Sequence, residues 1–499
     1  MPSAPAAPTR PPVWPWFAVP MALAAWLRLR GLGEAGPFVD EGANILTALD
    51  PRVREAFEPL GQGRPWLVWL FRPAGWFPAH ALETARLMSV LAGLATMIFL
   101  GWTLHRLAGR GAVLLGLWCW ALLPFAVWHE RLALQDPFIT ALLAAALALL
   151  VAGASSRRPW LWLAAGVIGG IAFLLKISAL LALPWIGLVY VAVQRVGARP
   201  VLERRLGFIV MGAILPVLTL GPNLGQLGSK LGRYDALPTL ADGGFSGSAL
   251  ERLGVWLGWY WGYGGWPLAV LLVAALVLAA IYRNAVAFGC AAAWVAAVLV
   301  TSLFYHNTYA RYALPDHLPL ILFLAVAIGP HLRAWWAAGL LAVPLARWGF
   351  VGAQIGTAPT LSAVPAGEIV QYYSGPWSGR SVQAVQKFLT NHADANHVQC
   401  VVLTHRFLRP GCYGLLLAEL GDPRINVVPV TIYDKAALEA VRPTMKQLAT
   451  GKRLAFFLLY EGSLYPAHPW LDQPGGPARR VWAEPRGAGE EFTLYQFEP

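Results

Sequence analysis

Long runs of apolar residues, separated by short polar segments, occupy the chain up to residue 352. A helix that crosses a membrane needs roughly 20 mostly apolar residues, and about eleven stretches approach that length. Their approximate limits are 13–32, 84–104, 111–128, 136–153, 159–175, 177–194, 207–222, 265–282, 285–304, 313–329 and 334–352. The pattern predicts a polytopic α-helical membrane domain over residues 1–352, with two long polar loops at 33–83 and 223–264.

The pattern changes after residue 352. Short apolar runs at 400–403 and 454–459 alternate with amphipathic helical stretches at 381–391 and 436–449. This alternation is typical of a small α/β domain with buried strands. We therefore expect residues 353–499 to form an α/β domain outside the membrane.

The composition supports a membrane protein. Hydrophobic residues make up 57% of the chain and charged residues only 13%, whereas soluble domains have roughly 45–50% apolar and about 25% charged residues. These values exclude a conventional soluble enzyme, and they also exclude a disordered or nucleic-acid-binding chain. The net charge of +12 comes mostly from residues 1–352, which hold 25 basic and 14 acidic residues.

The distribution of these basic residues predicts the orientation of the chain. If the N-terminus is cytoplasmic, Glu203 is the single acid in the loops on that side. The basic residues there are Arg10, Arg106, Arg110, Arg157, Arg158, Arg195, Arg199, Arg204, Arg205, Arg283 and Arg333. Short loops rich in Lys and Arg stay in the cytoplasm, so both long loops and the C-terminal domain are predicted to face outward.

Polar clusters lie at the predicted outward ends of the spans. They contain Arg28 with Asp40 and Glu41, Arg64 near the end of the first long loop, Glu130 with Arg131 and Asp136, Lys176, and His306 with Arg311. Single clusters have ordinary explanations: adjacent acids occur at helix starts, and a lysine can extend its ammonium to the interface. Charged groups near a bilayer are costly and usually line a functional cavity, so their common side predicts such a cavity.

The residue types indicate which chemistry the cavity supports. Cations suit a lipid-linked phosphate, carboxylates suit removal of a proton from a nucleophile, and aromatic rings suit sugars and isoprenoid chains. The chain has neither structural zinc spacing nor a phosphate-binding glycine motif, which argues against a nucleotide. Cys119 and Cys290 fall in spans, while Cys400 and Cys412 are candidates for a disulfide in the outward domain.

The order of these clusters resembles the GT-C superfamily of membrane glycosyltransferases, in the branch of protein O-mannosyltransferases and lipid A aminoarabinose transferases. The matching pieces are Arg28-Leu29, Asp40-Glu41, the segment 63–67 with Arg64-Pro65, the segment from Arg131 to Asp136-Pro137, the segment from Gly170 to Lys176, and Arg311-Tyr312 with Pro315. Trp66 stands where a second proline is usual, and Ile177-Ser178 stands where Gly-Pro is common. These departures leave the subfamily open.

The resemblance implies transfer of a sugar from a polyprenyl-phosphate carrier to an acceptor hydroxyl, with inversion, at the outer face of a bacterial inner membrane. Asp40 would be the general base, and Glu41 would position the acceptor or order the loop. Four cations would bind the donor phosphate: Arg64, Arg131, Lys176 and Arg311. His306 would contact the phosphate or the sugar. Support of the acceptor or the loop would come from Asp136, Glu130 and Arg28.

Other functions remain open at this stage. A transporter or flippase of a lipid-linked glycan would also need a charged cavity, and an oligosaccharide ligase or polymerase would share the donor chemistry. The expected partners are a polyprenyl-phosphate sugar, membrane lipids, and a glycan, lipid or protein acceptor, with no nucleic acid or nucleotide. No cofactor is required by the sequence, but a divalent Mg²⁺ or Mn²⁺ near Asp40 and Asp136 is an alternative.

Overall fold

The structure is a computed structural model of the 499-residue chain. It describes residues 15–58, 64–156, 158–194, 199–223, 248–304, 309–332, 335–358, 364–375, 378–405, 409–430, 435–461, 471, 478–487 and 490–498. Most of the loop predicted at 223–264 and the segment around His306 lie outside these ranges.

Apolar helices form the first part of the fold. They are α1 (Pro15–Leu29), α2 (Val39–Leu49), α3 (Pro51–Phe57), α4 (Leu67–Phe71), α5 (Ala81–Leu122), α6 (Pro124–His129), α7 (Asp136–Ser155), α8 (Pro159–Leu175), α9 (Leu183–Gln194), α10 (Arg199–Val217), α11 (Ala249–Ile281), α12 (Ala285–Phe304), α13 (His317–Ile328) and α14 (Trp335–Thr357). Short 3₁₀ turns connect several of them at Arg72–Trp76, Pro78–His80, Ile177–Ala182, Leu218–Asn223, Ala310–Ala313 and Gly329–His331.

Four helical segments are long and apolar enough to cross a membrane: Pro78–Leu122, Asp136–Ala154, Ala249–Ile281 and Ala285–Phe304. Five shorter apolar helices accompany them in the described part of the chain, at Phe17–Leu29, Pro159–Leu175, Ile177–Val193, Arg205–Gly221 and His317–His331. The helical membrane architecture is thus present. The count of about eleven spans stays a prediction.

Glycine residues with positive φ lie at two of the predicted boundaries between spans. The spans predicted at 84–104 and 111–128 join in α5, which turns at Gly109 (φ 78°). The span predicted at 265–282 extends back to Ala249, and α11 turns at Gly265 (φ 57°). Left-handed backbone at these two positions favours glycine, because a Cβ atom would be strained there. Both turns fall where the hydropathy pattern placed a boundary, between residues 104 and 111 and at residue 265, so each predicted break is a turn within a helical run.

Helices α8 and α10 pack closely through small residues. A Cβ atom on Gly166 would lie 2.1 Å from the carbonyl oxygen of Ile209, and one on Gly170 would lie 2.5 Å from that of Ala213. Small residues spaced four apart let two helix backbones approach in this way. The contact fixes the end of α8, where Lys176 follows.

The segment predicted as the first long loop, residues 33–83, contains helices α2 to α4, which form a compact layer. This layer packs on α5 on one side and on a helix of the C-terminal region, Pro410–Gly421, on the other. Most of α2 is buried, because apolar residues face both neighbours. The layer therefore connects the apolar helices to the C-terminal region.

The C-terminal region contains a mixed sheet and helices. The helices are α15 (Ala366–Ile369), α16 (Val382–Asn396), α17 (Pro410–Gly421) and α18 (Lys435–Ala449), and the strands are β1 (Gln399–Thr404), β2 (Ile425–Pro429), β3 (Leu454–Glu461), β4 (Ala478–Gly487) and β5 (Glu490–Phe497). The strand order is β2-β1-β3-β5-β4, with β1 parallel to β2 and β3 and with β5 antiparallel to β3 and β4. The predicted α/β region is present.

The two faces of this sheet belong to different cores. Val402 and Phe457 join the large core that also contains the membrane helices. Val401 and Phe456 point to the other face, where they pack around Leu438 of α18. Alternation along the strands produces both faces, and the first face attaches the sheet to the rest of the molecule.

The candidate disulfide between Cys400 and Cys412 is not formed in the structure. Both cysteines are buried free thiols. The Cys400 thiol, on β1, donates to the carbonyl oxygen of Leu389 at 3.4 Å, and burial raises its pKa to about 11. Burial also raises the pKa of the Cys412 thiol, on α17, to about 12. Each thiol therefore behaves as a small buried hydrophobe.

We predict that Gly170→Leu destabilises the protein, because the new side chain meets the backbone of α10. Overpacking of this kind costs about 1–3 kcal/mol, measurable as a lower thermal midpoint of the purified protein in detergent. Gly169→Leu on the same helix is the matched control, since a Cβ atom there meets nothing within 4 Å. Equal midpoints for the two variants would contradict the close packing of α8 and α10.

Candidate active site

A buried ion pair between Arg86 and Glu41 folds the segment before α2. Glu41 Oε1 accepts from Arg86 Nε at 2.8 Å and from the backbone N–H of Ala133 at 2.7 Å. Its Oε2 accepts from Arg86 Nη2 at 2.7 Å and from the backbone N–H of Phe38 at 2.9 Å. Arg86 also donates to three loop carbonyls, including that of Gly36 at 3.0 Å. Glu41 therefore orders the loop.

A second buried ion pair joins Arg28 to Glu130. Arg28 Nε donates to Glu130 Oε2 at 2.5 Å, and the indole N–H of Trp120 donates to Glu130 Oε1 at 3.0 Å. The Arg28 guanidinium also reaches the carbonyl oxygens of Trp120 and Ala121. Both charged side chains are fully buried. The pair thus fixes α1 against the α5–α6 corner.

Asp40 lies in the first turn of α2 and faces the opposite way from Glu41. Its side chain is 33% exposed, and its Oδ2 pairs with Arg311 Nη2. Arg311 Nη1 donates to the hydroxyl of Tyr372 at 3.2 Å. Asp40 Oδ1 accepts no hydrogen bond from the part of the chain that the structure describes. The site thus presents a carboxylate oxygen beside a fixed guanidinium.

Aromatic rings enclose the Arg311 guanidinium. Its Cζ lies 5.6 Å from the ring centre of Phe38, 4.7 Å from that of Tyr309 and 5.2 Å from that of Tyr312. Burial acts to lower the pKa of Arg311, but Tyr372 and the Asp40 carboxylate, among its neighbours, raise this pKa above its usual value. Arg311 therefore keeps its positive charge in a poorly solvated position.

Lys176 and Asp136 form a second ion pair at the same ring. Lys176 Nζ donates to Asp136 Oδ1 at 2.8 Å and lies 3.8 Å from the ring centre of Tyr312. Lys176 follows the last residue of α8 with an extended backbone (φ −162°), and Asp136 is the first residue of α7. Since Arg311 also contacts Tyr312, two of the four cations expected to bind phosphate lie at one site.

Arg64 lies next to α2 and is linked to it by one weak contact. Its Nη1 donates to Asn44 Oδ1 at 3.3 Å, and its buried Nε has no partner among the described residues. The nearby backbone N–H of Trp66 donates to the carbonyl oxygen of Leu174 at 3.0 Å. This bond ties the segment after Arg64 to the end of α8, close to Lys176.

Arg131 occupies a neighbouring cavity. It lines this cavity with Glu34, Arg86 and Tyr373, and its Nη1 donates to the carbonyl oxygen of Leu27 at 3.3 Å. Burial and the positive charge of Arg86 lower the pKa of Arg131 to about 10. Tyr372, which accepts a hydrogen bond from Arg311, lines the same cavity, so the cavity that holds Arg131 adjoins the Arg311 pair.

A buried carboxyl group from the C-terminal region lies behind Tyr372. Glu368 Oε2 accepts from the hydroxyl of Tyr263 at 2.7 Å and lies 3.4 Å from His129 Nε2. Glu368 Oε1 has no hydrogen-bond partner in the described part of the chain. Burial raises the pKa of Glu368 to about 7, despite the opposing effects of Tyr263 and Arg311.

Sequence reasoning missed three contributors to this site. Arg86 was not singled out, although an arginine in a predicted span is itself a signal. Tyr372 and Glu368 belong to the C-terminal region, and no local motif marks them. His306 lies outside the described residues.

The residues proposed for a divalent metal do not form a metal site. Asp40 and Asp136 each pair with a cation. Hard divalent cations require several oxygen ligands, and the described residues contain no group of three or more His, Cys, Asp or Glu side chains arranged to hold a metal.

The apolar helices carry a polar site at one end, and an α/β region is appended to them. In these features the chain is similar to one class of protein, the GT-C membrane glycosyltransferases. Residues 64–221 match the family of dolichyl-phosphate-mannose-protein mannosyltransferases. This match includes Arg64, Asp136 and Lys176. No curated protein matches the chain in sequence.

Two solved structures share the fold over nearly the whole chain. They are ArnT from Cupriavidus metallidurans in the apo state, with a TM-score of 0.59, and ArnT from the same organism bound to undecaprenyl phosphate, with a TM-score of 0.58. Each is 15% identical and covers 97% of this chain and 97% of its own. The resemblance to GT-C enzymes of the protein mannosyltransferase and aminoarabinose transferase branch is thereby confirmed.

We predict that Glu368 makes the stability of the protein depend on pH. The unfolded chain releases this proton near pH 4.5 and the folded chain near pH 7, so the folded state binds more protons between these values. Its contribution to stability therefore falls as pH rises from about 4.5 to 7. Glu368→Gln keeps an acceptor for Tyr263 and removes the titration.

The measurement is the thermal midpoint of wild type and Glu368→Gln at pH 5 and pH 7.5. The variant should gain stability relative to wild type at the higher pH. A difference between the two proteins that stays constant with pH would contradict a proton held on Glu368.

Proposed function

We propose that the protein is an integral membrane glycosyltransferase. It moves a sugar from a polyprenyl-phosphate carrier to a hydroxyl of a glycan, lipid or protein acceptor, with inversion at the anomeric carbon. The observation that carries this proposal is the meeting of the Asp40–Arg311 and Lys176–Asp136 pairs at the ring of Tyr312. A partly exposed carboxylate beside two cations suits this chemistry, and a fold relative bound to undecaprenyl phosphate supports the donor class.

The reaction requires one proton transfer and one exchange of bonds at carbon. Asp40 Oδ1 accepts the proton of the acceptor hydroxyl, and the resulting oxygen nucleophile attacks the anomeric carbon. The bond from that carbon to the phosphate oxygen breaks, and its electron pair leaves with the polyprenyl phosphate. In the transition state the leaving phosphate gains negative charge while the sugar ring gains positive charge, so a fixed cation near the phosphate lowers the barrier.

Arg311 and Lys176 are the cations that we assign to the departing phosphate. Arg311 binds both Asp40 and Tyr372, so its guanidinium is oriented before the donor arrives. A guanidinium held in this way loses little entropy when it binds phosphate oxygens. Arg64, whose contact to Asn44 is long at 3.3 Å, can turn toward the same phosphate.

The remaining residues expected to act on substrate receive other assignments. Glu41, Glu130 and Arg28 hold the scaffold, because their charged groups are buried and paired. Arg131 contributes to the neighbouring cavity. We propose that Asp136 keeps Lys176 in place.

We further propose that the protein spans the inner membrane many times, with a cytoplasmic N-terminus and an outward C-terminal domain over residues 353–499. The excess of arginine in one set of loops supports this orientation. It places Asp40 and Arg311 at the outer face, where a polyprenyl-phosphate sugar that has crossed the membrane is available.

Asp40→Asn should lower sugar transfer by a factor on the order of 10²–10⁴, because the amide cannot accept the proton. The assay follows radiolabelled sugar from synthetic polyprenyl-phosphate donors with purified protein in detergent, with and without a chelator. Asp394→Asn, at a half-exposed ion pair of the outward domain, is the matched control and should retain full activity. Full transfer by Asp40→Asn would refute the base assignment. Absence of transfer by wild type, with donor movement across reconstituted bilayers, would refute the transferase.

Lys176→Gln should lower transfer by roughly 10²-fold or more, because the leaving phosphate loses a cation. Lys176→Arg restores the positive charge and should recover part of the activity, while the exposed Lys452→Gln serves as the control. Donor binding, measured separately, distinguishes lost affinity from lost turnover. If Lys176→Gln and Lys452→Gln have equal rates, Lys176 has no role in transfer.

A further inference from the structure

A separate cavity lies between the end of α2 and the segment that follows α4. Its volume is about 350 Å³, and its walls include Leu49, Arg54, Val68, Arg72 and Trp76. None of these residues belongs to the proposed active site.

The cavity lies at the C-terminal end of α2, whereas Asp40 lies in the first turn of the same helix. Leu49 follows Asp40 by nine residues, which corresponds to roughly 13 Å along a helix axis. A molecule bound in the cavity would therefore contact the far end of the helix that carries the proposed base.

Two arginines supply an uncompensated positive charge to the cavity. Arg54 Nε and Nη2 donate to the carbonyl oxygens of Thr47 and Ala48 at 3.0 and 2.7 Å, so its guanidinium is fixed at the wall. Arg72 stacks on Trp69, with 5.6 Å from its Cζ to the ring centre. Neither arginine has a carboxylate partner in the described ranges. The pocket is therefore prepared for an anion.

Exposed aromatic residues surround the opening. Trp69 is 65% exposed, Trp76 is 76% exposed and Phe77 is 58% exposed. Aromatic side chains of this kind concentrate where a membrane meets water, because one part of the ring is apolar and another is polar. Trp76 lines the cavity and Trp69 stacks on Arg72, so these two rings have the exposure expected beside lipid headgroups.

We propose that this cavity binds the phosphate headgroup of an anionic phospholipid. Arginine matches phosphate oxygens in geometry and charge, and about 350 Å³ falls in the range of small-ligand pockets. The acyl chains remain in the bilayer beside Trp69 and Trp76, while the phosphodiester lies between Arg54 and Arg72. The bound lipid stabilises the layer that contains α2. This binding does not depend on the proposed transferase activity.

The test measures lipid binding to the full-length protein purified in detergent. Phosphatidylglycerol and phosphatidylcholine are titrated in parallel, and the thermal midpoint and the number of retained lipids by native mass spectrometry are recorded. Wild type should be stabilised by phosphatidylglycerol and not by phosphatidylcholine.

Two variants remove the site by different routes. Arg72→Gln, which removes one charge at an exposed position, should weaken phosphatidylglycerol binding at least 10-fold, and Val68→Trp should block the cavity while leaving both charges. Arg30→Gln is the matched control, because Arg30 also stacks on a tryptophan, Trp26, at 5.2 Å but does not line the cavity.

Several outcomes would overturn the proposal. Equal stabilisation by both lipids, or unchanged phosphatidylglycerol binding by both Arg72→Gln and Val68→Trp, would show that the cavity is not a lipid site. Stabilisation by inorganic phosphate equal to that by phosphatidylglycerol would identify a soluble anion as the ligand and would also refute it. An equal loss in Arg30→Gln would indicate a general effect of surface charge.

Discussion

The buried ion pair between Arg86 and Glu41 is the interaction on which the candidate site depends. Burying two charges is costly unless every polar atom is satisfied, and removing one partner of such a pair typically costs about 3–5 kcal/mol. Here both Glu41 oxygens accept two hydrogen bonds each, and Arg86 also binds loop carbonyls. The pair fixes the start of α2 against α5. Because adjacent helical residues point about 100° apart, holding Glu41 inward leaves Asp40 turned toward the open side.

The proposed site is charged before any substrate binds, and its charges are already ordered. Arg311 and Lys176 each hold a carboxylate from a different helix, and both contact the ring of Tyr312. A phosphate entering this site would compete with the carboxylates for the cations, which links donor binding to the freedom of Asp40. Tyr372, from the C-terminal region, contacts Arg311 at 3.2 Å. The C-terminal region thus contributes directly to the site that the apolar helices form.

Much of the fold follows from local patterns in the sequence. The length of the apolar runs predicts the helices. Short apolar runs that alternate with amphipathic stretches predict β1 and β3, and the change of pattern near residue 352 separates the membrane helices from the sheet. The breaks predicted between residues 104 and 111 and at residue 265 coincide with the turns at Gly109 and Gly265, where glycine has a positive φ. The compact layer formed by α2 to α4 was expected only as a loop, since its burial depends on contacts with α5 and α17.

The sequence by itself determined the class of protein, the residue types of the site and the common side of its polar clusters, because composition and periodicity are properties of short segments. The resemblance already gave Asp40 and Glu41 different expected roles, but the sequence did not show which charged groups are buried and which partner each one has. Only the tertiary structure decided these pairings, because the partners are distant in the chain. Arg86 lies 45 residues from Glu41, and Arg311 lies 271 residues from Asp40. Burial and pairing of a charge depend on which helices pack together, and no local pattern encodes that packing.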